Sequence, residues 1–415
     1  MESYQRHENA GRPGFVTIVN GGTGNQGAMR DYRRFRYTLG STLLGNGQTS
    51  FDYGDQAHEQ LWYYDEYDAS LGTPAGPPNN LSEFRQSGQF AAGLWRRDFT
   101  RGVVVLNATT VAQSVHFDDP LDHLLGSQDA SVNSGAPVTD VTLAPNDGVV
   151  LLKPIADLVN VVFRVGSFVH VFDSSGAAKR RGFFPNAQTS RGGTLQWVGD
   201  LDRDGRSDAI RADATALTVT LGTGERHVLL PYGSRYHAGV TFAVGDLNGD
   251  GRQEIVTGPL SGGPQIQIFD FRGRHLGGFF ARLIKNGNGV RVAVGDLDGS
   301  GRAQILATAA RRPSTVQVYT SAGVFERAWA GPAEPASASG YTLAVGDLDG
   351  QGNIDALVGS GSGAPPQLAI FSGRGALKRA FAPLAPGNRS GFLTSVVDID
   401  GDGKKEILVM AERVL

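Results

Sequence analysis

The chain has 415 residues and a formal net charge of −3 at pH 7, which gives no reason to expect a nucleic-acid partner. Glycine contributes 58 residues, about twice the usual share of roughly 7%, and this excess is typical of a chain with many turns and short strands. The absence of cysteine excludes disulfides, thiolate metal sites and cysteine nucleophiles, and no apolar run approaches the roughly 18 residues of a membrane span.

The N-terminal segment begins with a predicted strand, a glycine-rich turn and a helix. Residues 15–19 (FVTIV) have the composition of a strand, residues 21–27 (GGTGNQG) form the turn, and residues 28–44 are compatible with a helix. A glycine-rich turn in this position resembles a dinucleotide-binding fingerprint, and Asp52 follows about 25 residues later, where an acid could bind a ribose. Because no further β-α-β units are predicted, no doubly wound sheet remains to hold a cofactor, and this interpretation is not favoured.

The next stretch combines strands with an aromatic and acidic segment. Residues 49–53 (TSFDY) are strand-like, residues 61–72 (LWYYDEYDASLG) alternate rings and carboxylates, and a Pro/Gly/Asn loop follows over residues 73–80. Five further segments have the pattern of antiparallel strands: residues 94–99, 102–107, 113–117, 138–143 and 148–152.

The order of these blocks resembles the carboxy-terminal stretch of a group of bacterial glycoside hydrolases. The blocks that carry the resemblance, within about residues 15–153, are 37–47 (YTLGSTLLGNG), Phe51-Asp52, 62–67 (WYYDEY), 95–99 (WRRDF), 103–107 (VVVLN), 128–133 (QDASVN) and 143–152. The resemblance implies that residues 1–80 are the truncated end of a (β/α)8 barrel and that residues 81–154 form a small antiparallel β-sandwich.

This resemblance implies a sugar subsite without a complete active site. Glycosidases normally mount two carboxylates at the C-terminal ends of barrel strands, and a whole barrel needs about 200 residues or more. We therefore predict no catalytic residue, and we expect the chain alone to be inactive unless a separate polypeptide supplies the rest of the barrel. The candidate substrate-binding residues are Asp52, Trp62, Asp65 and Glu66. The alternative, which is favoured, is that they pack the rim of the barrel end.

The second part of the chain contains five copies of one acidic loop. Loops one to five occupy residues 200–208, 246–254, 296–304, 347–355 and 398–406, so their first aspartates are 46, 50, 51 and 51 residues apart. A period near 50 is in the range of propeller blades. Strands ending in an aromatic residue recur 27 or 28 residues before the next loop: 169–172 (VHVF), 266–269 (IQIF), 316–319 (VQVY) and 368–371 (LAIF).

The loops follow the pattern D-x-D-x-D-G-x-x-[DE], which suits calcium. Calcium takes six to eight oxygen ligands, alternate residues of a tight loop direct carboxylates inward, and glycine permits the turn. Position seven would contribute its backbone carbonyl. The predicted ligands are Asp200, Asp202, Asp204, Arg206 and Asp208 in loop one; Asp246, Asn248, Asp250, Arg252 and Glu254 in loop two; Asp296, Asp298, Ser300 and Arg302 in loop three; Asp347, Asp349, Asn353 and Asp355 in loop four; and Asp398, Asp400, Asp402, Lys404 and Glu406 in loop five.

The alternative is that the loops are ordinary Asp-Gly hairpin turns. The distribution of charge favours a metal, because 16 of the 41 acidic residues lie in these loops and clustered carboxylates repel one another unless a cation neutralises them. The carboxylates number 4, 3, 2, 3 and 4 in chain order. Since affinity follows ligand charge, loops one and five are expected to bind calcium most tightly and loop three most weakly.

These repeats resemble the FG-GAP or VCBS family, the calcium-bearing propeller repeats that also occur in integrin alpha chains. The resemblance covers residues 155–415 and implies a β-propeller with metal sites on one rim. It also implies a location outside the cell or at its surface, although residues 1–14 lack the apolar stretch of a signal peptide. Ring closure stays open: either the last strands complete a blade begun by residues 161–172, or blades are missing.

The sequence therefore predicts a mainly β protein, in which a β-propeller of about five units follows a small antiparallel β-sandwich and a truncated α/β barrel end. We expect a non-catalytic, calcium-binding surface or secreted protein that binds glycan or protein partners, with no nucleic-acid partner and no membrane span. Two alternatives remain. The chain could be the C-terminal part of a cell-surface glycoside hydrolase whose propeller targets polysaccharide, or a purely structural spacer.

Overall fold

The structure is a computed structural model that describes residues 18–27, 29–56, 62–80, 93–155, 158–165, 167–183, 194–282, 284–312, 315–332, 339–401 and 403–411. Strands account for 48% and helices for 5%, which places the chain in the predicted mainly β class. Within these residues, no helix has both the length and the apolar character needed to cross a membrane. The chain divides into an N-terminal unit (Met1–Pro154 with Asp400–Asp402) and a C-terminal unit (Ile155–Ile399 with Gly403–Leu415).

The N-terminal unit begins with a β-α-β segment. Strand β1 (Ile18–Gly22), helix α1 (Tyr32–Leu43) and strand β2 (Gln48–Asp52) follow one another, and the two strands pair in parallel. A side chain at Gly21 would collide with Thr38, so this glycine lets the helix lie close to the strand.

Both predicted boundaries of this segment differ from the structure. The helix starts at Tyr32 rather than at residue 28, because the side chain of Asp31 caps it by accepting a hydrogen bond from the Arg34 backbone N at 3.4 Å. The strand predicted at residues 15–19 extends further, to Gly22, and its first three residues lie outside the described part of the chain.

A six-stranded antiparallel sheet follows a short 3-10 helix (Asp65–Asp68). Its strands are β3 (Asn79–Asn80), β4 (Leu94–Asp98), β5 (Gly102–Asn107), β6 (Gln113–His123), β7 (Pro137–Leu143) and β8 (Asp147–Leu152), in the order β3-β4-β5-β8-β6-β7. The predicted sandwich is thus one hydrogen-bonded sheet. Strand β6 shifts register between His116 and Leu121 and then pairs with β8, which joins what would otherwise be two sheets.

Strand β5 is buried on both faces. Val103 and Val105 share a hydrophobic cluster with Phe117, whereas Val104 packs in a second cluster with Phe35 of α1. Burial of each such side chain stabilises the fold by about 1.5–3 kcal/mol. Alternate residues of β5 therefore pack in two different clusters, one that includes α1 and one that includes residues of β6 and β7.

The C-terminal unit is built from short strands throughout the described residues. The first group is β9 (Phe163–Arg164), β10 (Val169–Phe172), β11 (Ala178–Phe183), β12 (Leu195–Gly199), β13 (Asp208–Ala212), β14 (Leu217–Thr220) and β15 (Arg226–Leu229). Next come β16 (Val240–Gly245), β17 (Glu254–Pro259), β18 (Gln265–Phe269), β19 (His275–Phe280), β20 (Val290–Gly295), β21 (Gln304–Ala309), β22 (Thr315–Tyr319) and β23 (Phe325–Ala330). The last are β24 (Ser339–Asp347), β25 (Ile354–Ser362), β26 (Leu368–Ser372), β27 (Leu377–Phe381), β28 (Phe392–Val397) and β29 (Glu406–Ala411).

These strands form antiparallel sheets that follow one another along the chain. Within the described residues the orders are β15-β14-β13-β12-β9, β16-β17-β18-β19, β20-β21-β22-β23, β24-β25-β26-β27 and β11-β10-β29-β28. The last sheet joins both ends of the unit, because Val169 pairs with Met410 and Phe172 with Ile407. The final strands thus share a sheet with the strand at residues 169–172, and closure of a ring stays a prediction.

Neighbouring sheets pack face to face through shared apolar cores. Val256 and Ile266 of one sheet, for example, contact the same cluster as Val292 and Ile305 of the next. The periodic aromatic residues predicted at the strand ends fill these cores and are at most 9% exposed: Phe172, Phe269, Tyr319 and Phe371. Strands β12, β16, β20, β24 and β28 line one open cavity.

Candidate metal-binding loops

Each acidic loop connects two neighbouring antiparallel strands of a sheet: β12 to β13, β16 to β17, β20 to β21, β24 to β25 and β28 to β29. The loop's ninth residue pairs with the residue that precedes the loop, as in Gly199 with Asp208 and Gly245 with Glu254. The same pairing joins Gly295 with Gln304, Gly346 with Asp355 and Val397 with Glu406. The ninth residue therefore belongs to both the loop and a buried strand.

The first aspartate of every loop has the same role. Its carboxylate accepts a hydrogen bond from the backbone N–H of the glycine at position six: Gly205 to Asp200 (3.0 Å), Gly251 to Asp246 (2.7 Å), Gly301 to Asp296 (2.7 Å), Gly352 to Asp347 (2.7 Å) and Gly403 to Asp398 (3.0 Å). These glycines have φ between 78° and 87°, a left-handed conformation that side chains disfavour. The D-x-x-x-x-G spacing is thus explained by backbone geometry alone.

The ninth residue closes the loop onto the sheet. Its side chain accepts a hydrogen bond from the backbone N–H at position two in four loops: Leu201 to Asp208 (2.6 Å), Leu247 to Glu254 (2.8 Å), Leu297 to Gln304 (2.6 Å) and Ile399 to Glu406 (3.0 Å). An uncharged glutamine performs this role in loop three. The contact therefore requires an acceptor oxygen and not a negative charge.

Loop one gathers three carboxylates in a small volume. Asp200, Asp202 and Asp208 each bring one oxygen to within 4.8 Å of the others, and Asp208 is 1% exposed. Burial, followed by the nearby charges of Asp202 and Asp200, raises the pKa of Asp208. Asp204 lies at the exposed edge of the loop, where its carboxylate accepts a hydrogen bond from the Arg206 backbone N at 2.8 Å. This loop thus concentrates negative charge.

Loop five has a comparable set, in which Asp398, Asp400 and Glu406 bring carboxylate oxygens within 4.8 Å of one another. Of the other two predicted ligands, Asp402 lies outside the described residues, and the side chain of Lys404 is exposed. That the backbone carbonyl of Lys404 binds a metal stays a prediction, as it does for the residues at position seven of the other loops.

Loop two makes hydrogen bonds to two of its own carboxylates. In loop two the Asn248 side-chain amide donates to Glu254 at 3.0 Å, and the Asp250 carboxylate accepts from the Arg252 backbone N at 2.8 Å. Burial, then the charges of Asp250 and Asp246, raises the pKa of Glu254.

In loop three, hydrogen bonds from the side chains of Ser300 and Gln304 lower the pKa of Asp298 to about 2. The Ser300 hydroxyl also donates to the carbonyl of Arg302 at 3.3 Å. That carbonyl is the oxygen predicted to face a metal.

A positive charge next to loop four was not predicted from the sequence. Lys378 Nζ on β27 lies 2.6 Å from Asp355 Oδ1 on β25. Burial raises the pKa of Asp355, and the contact with Lys378 opposes that rise. The Asp349 carboxylate accepts from the Gln351 backbone N at 3.0 Å, and Asn353 is exposed. The sequence shows a lysine two strands further along the chain, but it does not give the strand register that places Lys378 beside Asp355.

The residues predicted to bind sugar have hydrogen-bonding roles within the N-terminal unit. Asp52 is 6% exposed at the end of β2 and accepts from the Gly54 backbone N at 3.0 Å. Asp65 accepts from the Gln128 backbone N at 2.6 Å. Glu66, also 6% exposed, accepts from the Asn133 amide at 2.9 Å, and burial raises its pKa.

Trp62 packs beside Phe51, with ring centroids 6.2 Å apart. A role of Asp52, Trp62, Asp65 and Glu66 in binding substrate stays a prediction. Packing of these residues against a barrel rim also stays a prediction.

A buried ion pair in the same unit was also missed. Arg36 of α1 is 5% exposed and binds Asp147 of β8 through two contacts, Nε to Oδ1 at 3.0 Å and Nη2 to Oδ2 at 3.1 Å. Its Nη1 contacts Asp129. The partners are 111 residues apart in the sequence, so no local pattern indicates them.

Comparisons with known proteins bear on the N-terminal segment. Residues 1–103 match the model of hypothetical glycosyl hydrolase family 15, which supports the glycoside-hydrolase-like character expected there. No FG-GAP or VCBS family model matches the chain, so that resemblance stays a prediction. None of the proteins of curated function matches it.

Several solved structures are similar to the chain at low levels. The exotype rhamnogalacturonan lyase YesX has 17% identity and a TM-score of 0.32, over 63% of this chain and 53% of that one. The Bacillus licheniformis rhamnogalacturonan lyase PL11 has 16% identity and a TM-score of 0.33, over 63% and 56%. Virginiamycin B lyase from Staphylococcus aureus has 11% identity and a TM-score of 0.36, over 72% and 81%. The chain spans about half the length of the two rhamnogalacturonan lyases. These values are too low to assign a fold or an activity.

Proposed function

We propose that this chain is a calcium-stabilised β-propeller that acts at the cell surface or outside the cell as a non-catalytic binding module for glycans. The observation that carries the proposal is the carboxylate cluster of loop one, in which Asp200, Asp202 and Asp208 bring oxygens within 4.8 Å of one another. Three negative charges at this spacing repel one another, and a bound divalent cation removes that repulsion.

Calcium suits this cluster better than other common divalent ions. Zinc favours nitrogen and sulfur ligands, whereas the candidates in loops one and five are oxygens. Magnesium demands near-ideal octahedral geometry, while calcium accepts the irregular set that carboxylates and carbonyls of a flexible loop offer. In loop one, Asp204 and the carbonyl of Arg206 would add to the three clustered carboxylates.

Two features of the C-terminal unit support a propeller ring. The pairing of β10 with β29 joins strands from the beginning and the end of the unit in one sheet, as closure of a ring requires. One strand of each of the five sheets (β12, β16, β20, β24 and β28) also lines the same cavity, as the inner strands of blades do. Closure of this kind protects strand edges from pairing with other chains.

The test of the calcium proposal is a titration of the full chain, read by calorimetry and by thermal unfolding in calcium and in chelator. We expect calcium to raise the Tm, since a ligand at about 100 times its Kd stabilises by about 2.7 kcal/mol. Asp200→Asn should abolish one tight site, whereas the matched substitution Asp296→Asn in loop three should leave the tight sites intact. An identical Tm in calcium and in chelator would falsify the proposal.

A second candidate function is favoured by the match of residues 1–103 to the hypothetical glycosyl hydrolase family. On this hypothesis the chain is the C-terminal part of a cell-surface glycoside hydrolase, and β1-α1-β2 is one unit of its barrel. The gene sequence upstream of the first codon discriminates the two. A reading frame that continues into further β-α-β units supports the hydrolase, and an in-frame stop codon contradicts it.

A further inference from the structure

Loop four differs from the other loops in how its ninth residue is held. In loops one, two, three and five, the side chain of that residue accepts a hydrogen bond from the backbone N–H at position two. Within the described residues, Asp355 of loop four instead contacts Lys378, with Oδ1 2.6 Å from Nζ. The ninth position of this loop therefore already has a positively charged neighbour.

The ion pair joins a buried carboxylate to a partly exposed lysine. Asp355 on β25 is 3% exposed, whereas the side chain of Lys378 on β27 is 42% exposed. Water screens the buried carboxylate only weakly, so its attraction to the ammonium group is stronger than in a pair of two exposed side chains. A divalent cation bound by the same carboxylate would lie close to Nζ, and the two positive charges would repel each other.

The position of Lys378 in its sheet has equivalents in two neighbouring sheets. The first residue of β19, of β23 and of β27 pairs with an aromatic residue of the preceding strand, beside a register shift. The second residue of these strands is Leu276, Glu326 and Lys378, respectively. Glu326 forms its own ion pair with Arg327, whose Nη1 lies 2.9 Å from Oε2. Of these three equivalent positions, the one in the sheet of loop four has the positive charge.

Loops two and four are otherwise similar in their acidic residues. Each has three carboxylates at the predicted ligand positions. In each, the first aspartate accepts a hydrogen bond from the backbone N–H of the glycine at position six, at 2.7 Å. The number of carboxylates alone therefore predicts similar calcium affinities for the two loops. Lys378 is a difference that this number does not include.

We propose that Lys378 is the resident cation of loop four, whose ammonium group takes the place of a divalent cation at the carboxylate of Asp355. The proposal rests on the proposed calcium-binding function and names a residue that determines which loops use calcium. Loop four then binds calcium at least about ten-fold more weakly than loop two, because the metal must displace Nζ or bind beside it.

The experiment is a calcium titration of the full chain, read by hydrogen exchange with mass spectrometry, which reports protection at each loop separately. Lys378→Gln should lower the calcium concentration that half-protects residues 347–355 at least about ten-fold, since it removes the competing charge. Leu276→Lys should raise the corresponding concentration for residues 246–254 by a similar factor, and the matched control Leu276→Gln should leave it unchanged. The same half-protecting concentration at loop four in Lys378→Gln and in the wild type overturns the proposal.

Thermal unfolding in chelator separates this proposal from the calcium proposal. Lys378→Arg keeps the positive charge, so its Tm should stay closer to that of the wild type than the Tm of Lys378→Gln does. Equal Tm values for these two variants overturn the proposal, whether or not any loop binds calcium. If calcium protects no loop and Lys378→Gln still has the lower Tm, the calcium proposal fails and Lys378 remains the cation of loop four.

Discussion

Lys378 Nζ lies 2.6 Å from Asp355 Oδ1, so a lysine neutralises the ninth-position carboxylate of loop four. The two residues belong to β27 and β25, with β26 between them. In loop one the corresponding carboxylate, Asp208, instead accepts hydrogen bonds from the backbone N–H groups of Leu201 and Gly222. The loops therefore share a backbone but differ in how the charge of the ninth-position carboxylate is balanced.

The first prediction concerns this lysine. Lys378→Gln leaves the carboxylate of Asp355, 3% exposed, without its neighbouring cation and should destabilise the chain by about 1–2 kcal/mol. The cost is below that of a fully buried pair because the Lys378 side chain is 42% exposed. The measurement is the Tm in chelator, and millimolar calcium should restore part of the loss. Arg374→Gln, which removes an exposed charge from the adjacent turn, is the control, and an equal Tm loss in both variants contradicts the assignment.

The repeat allowed several strands of the C-terminal unit to be predicted from the sequence. The segment predicted at residues 169–172 is strand β10, and the predicted strands ending at Phe269 and Tyr319 end there in the structure. A strand that is uncertain in one copy can be assigned from the other four, because each repeat unit must bury the same positions against its neighbour.

Contacts between segments that are distant in the sequence could not be predicted from the repeat. The pairing of Lys378 with Asp355 depends on the register of two strand pairs, including the bulge between Ile370 and Phe371. The ion pair of Arg36 and Asp147 joins a helix to a strand 111 residues later, and only the folded sheet brings them together. Charge type and spacing along the chain predict the loops, while charge balance is a property of the tertiary structure.

The second prediction concerns that ion pair. Arg36→Met leaves Asp147 and Asp129 without their shared cation and should destabilise the N-terminal unit by about 3–5 kcal/mol. Hydrogen exchange measured by mass spectrometry on the full chain should show lost protection in α1 and β8, with strands of the C-terminal unit unchanged. Arg33→Gln, an exposed position on the same helix, is the control and should keep its protection. Unchanged hydrogen exchange in Arg36→Met would show that the ion pair does not stabilise the N-terminal unit.

The third prediction follows from the raised pKa of Glu66, which results from burial. A carboxyl whose pKa is higher in the folded state stabilises the fold below its unfolded value of about 4.5, and this contribution is lost as the pH rises through the folded value. Glu66→Gln removes the ionisation while keeping an oxygen for the Asn133 amide. The Tm of the variant minus that of the wild type should therefore increase as the pH rises above about 4.5. A difference that stays flat or falls over this range contradicts the argument.

The fourth prediction converts loop two into a stronger site. Asn248 Nδ2 donates a hydrogen bond to Glu254 Oε1 at 3.0 Å. This bond uses a carboxylate oxygen that a cation would otherwise bind. Asn248→Asp gives loop two the same four acidic positions as loop five, replaces that hydrogen bond by repulsion, and should cost about 1–2 kcal/mol in chelator.

Calcium should reverse the loss and bind with at least about ten-fold higher affinity at this loop, because affinity follows ligand charge. The measurement is the calorimetric stoichiometry, which should rise by one tight site, together with the Tm in calcium and in chelator. Gln253→Glu adds the same charge at position eight, outside the ligand set, and should leave the stoichiometry unchanged. If both substitutions change calcium binding equally, the effect comes from net charge and the loop does not provide a site.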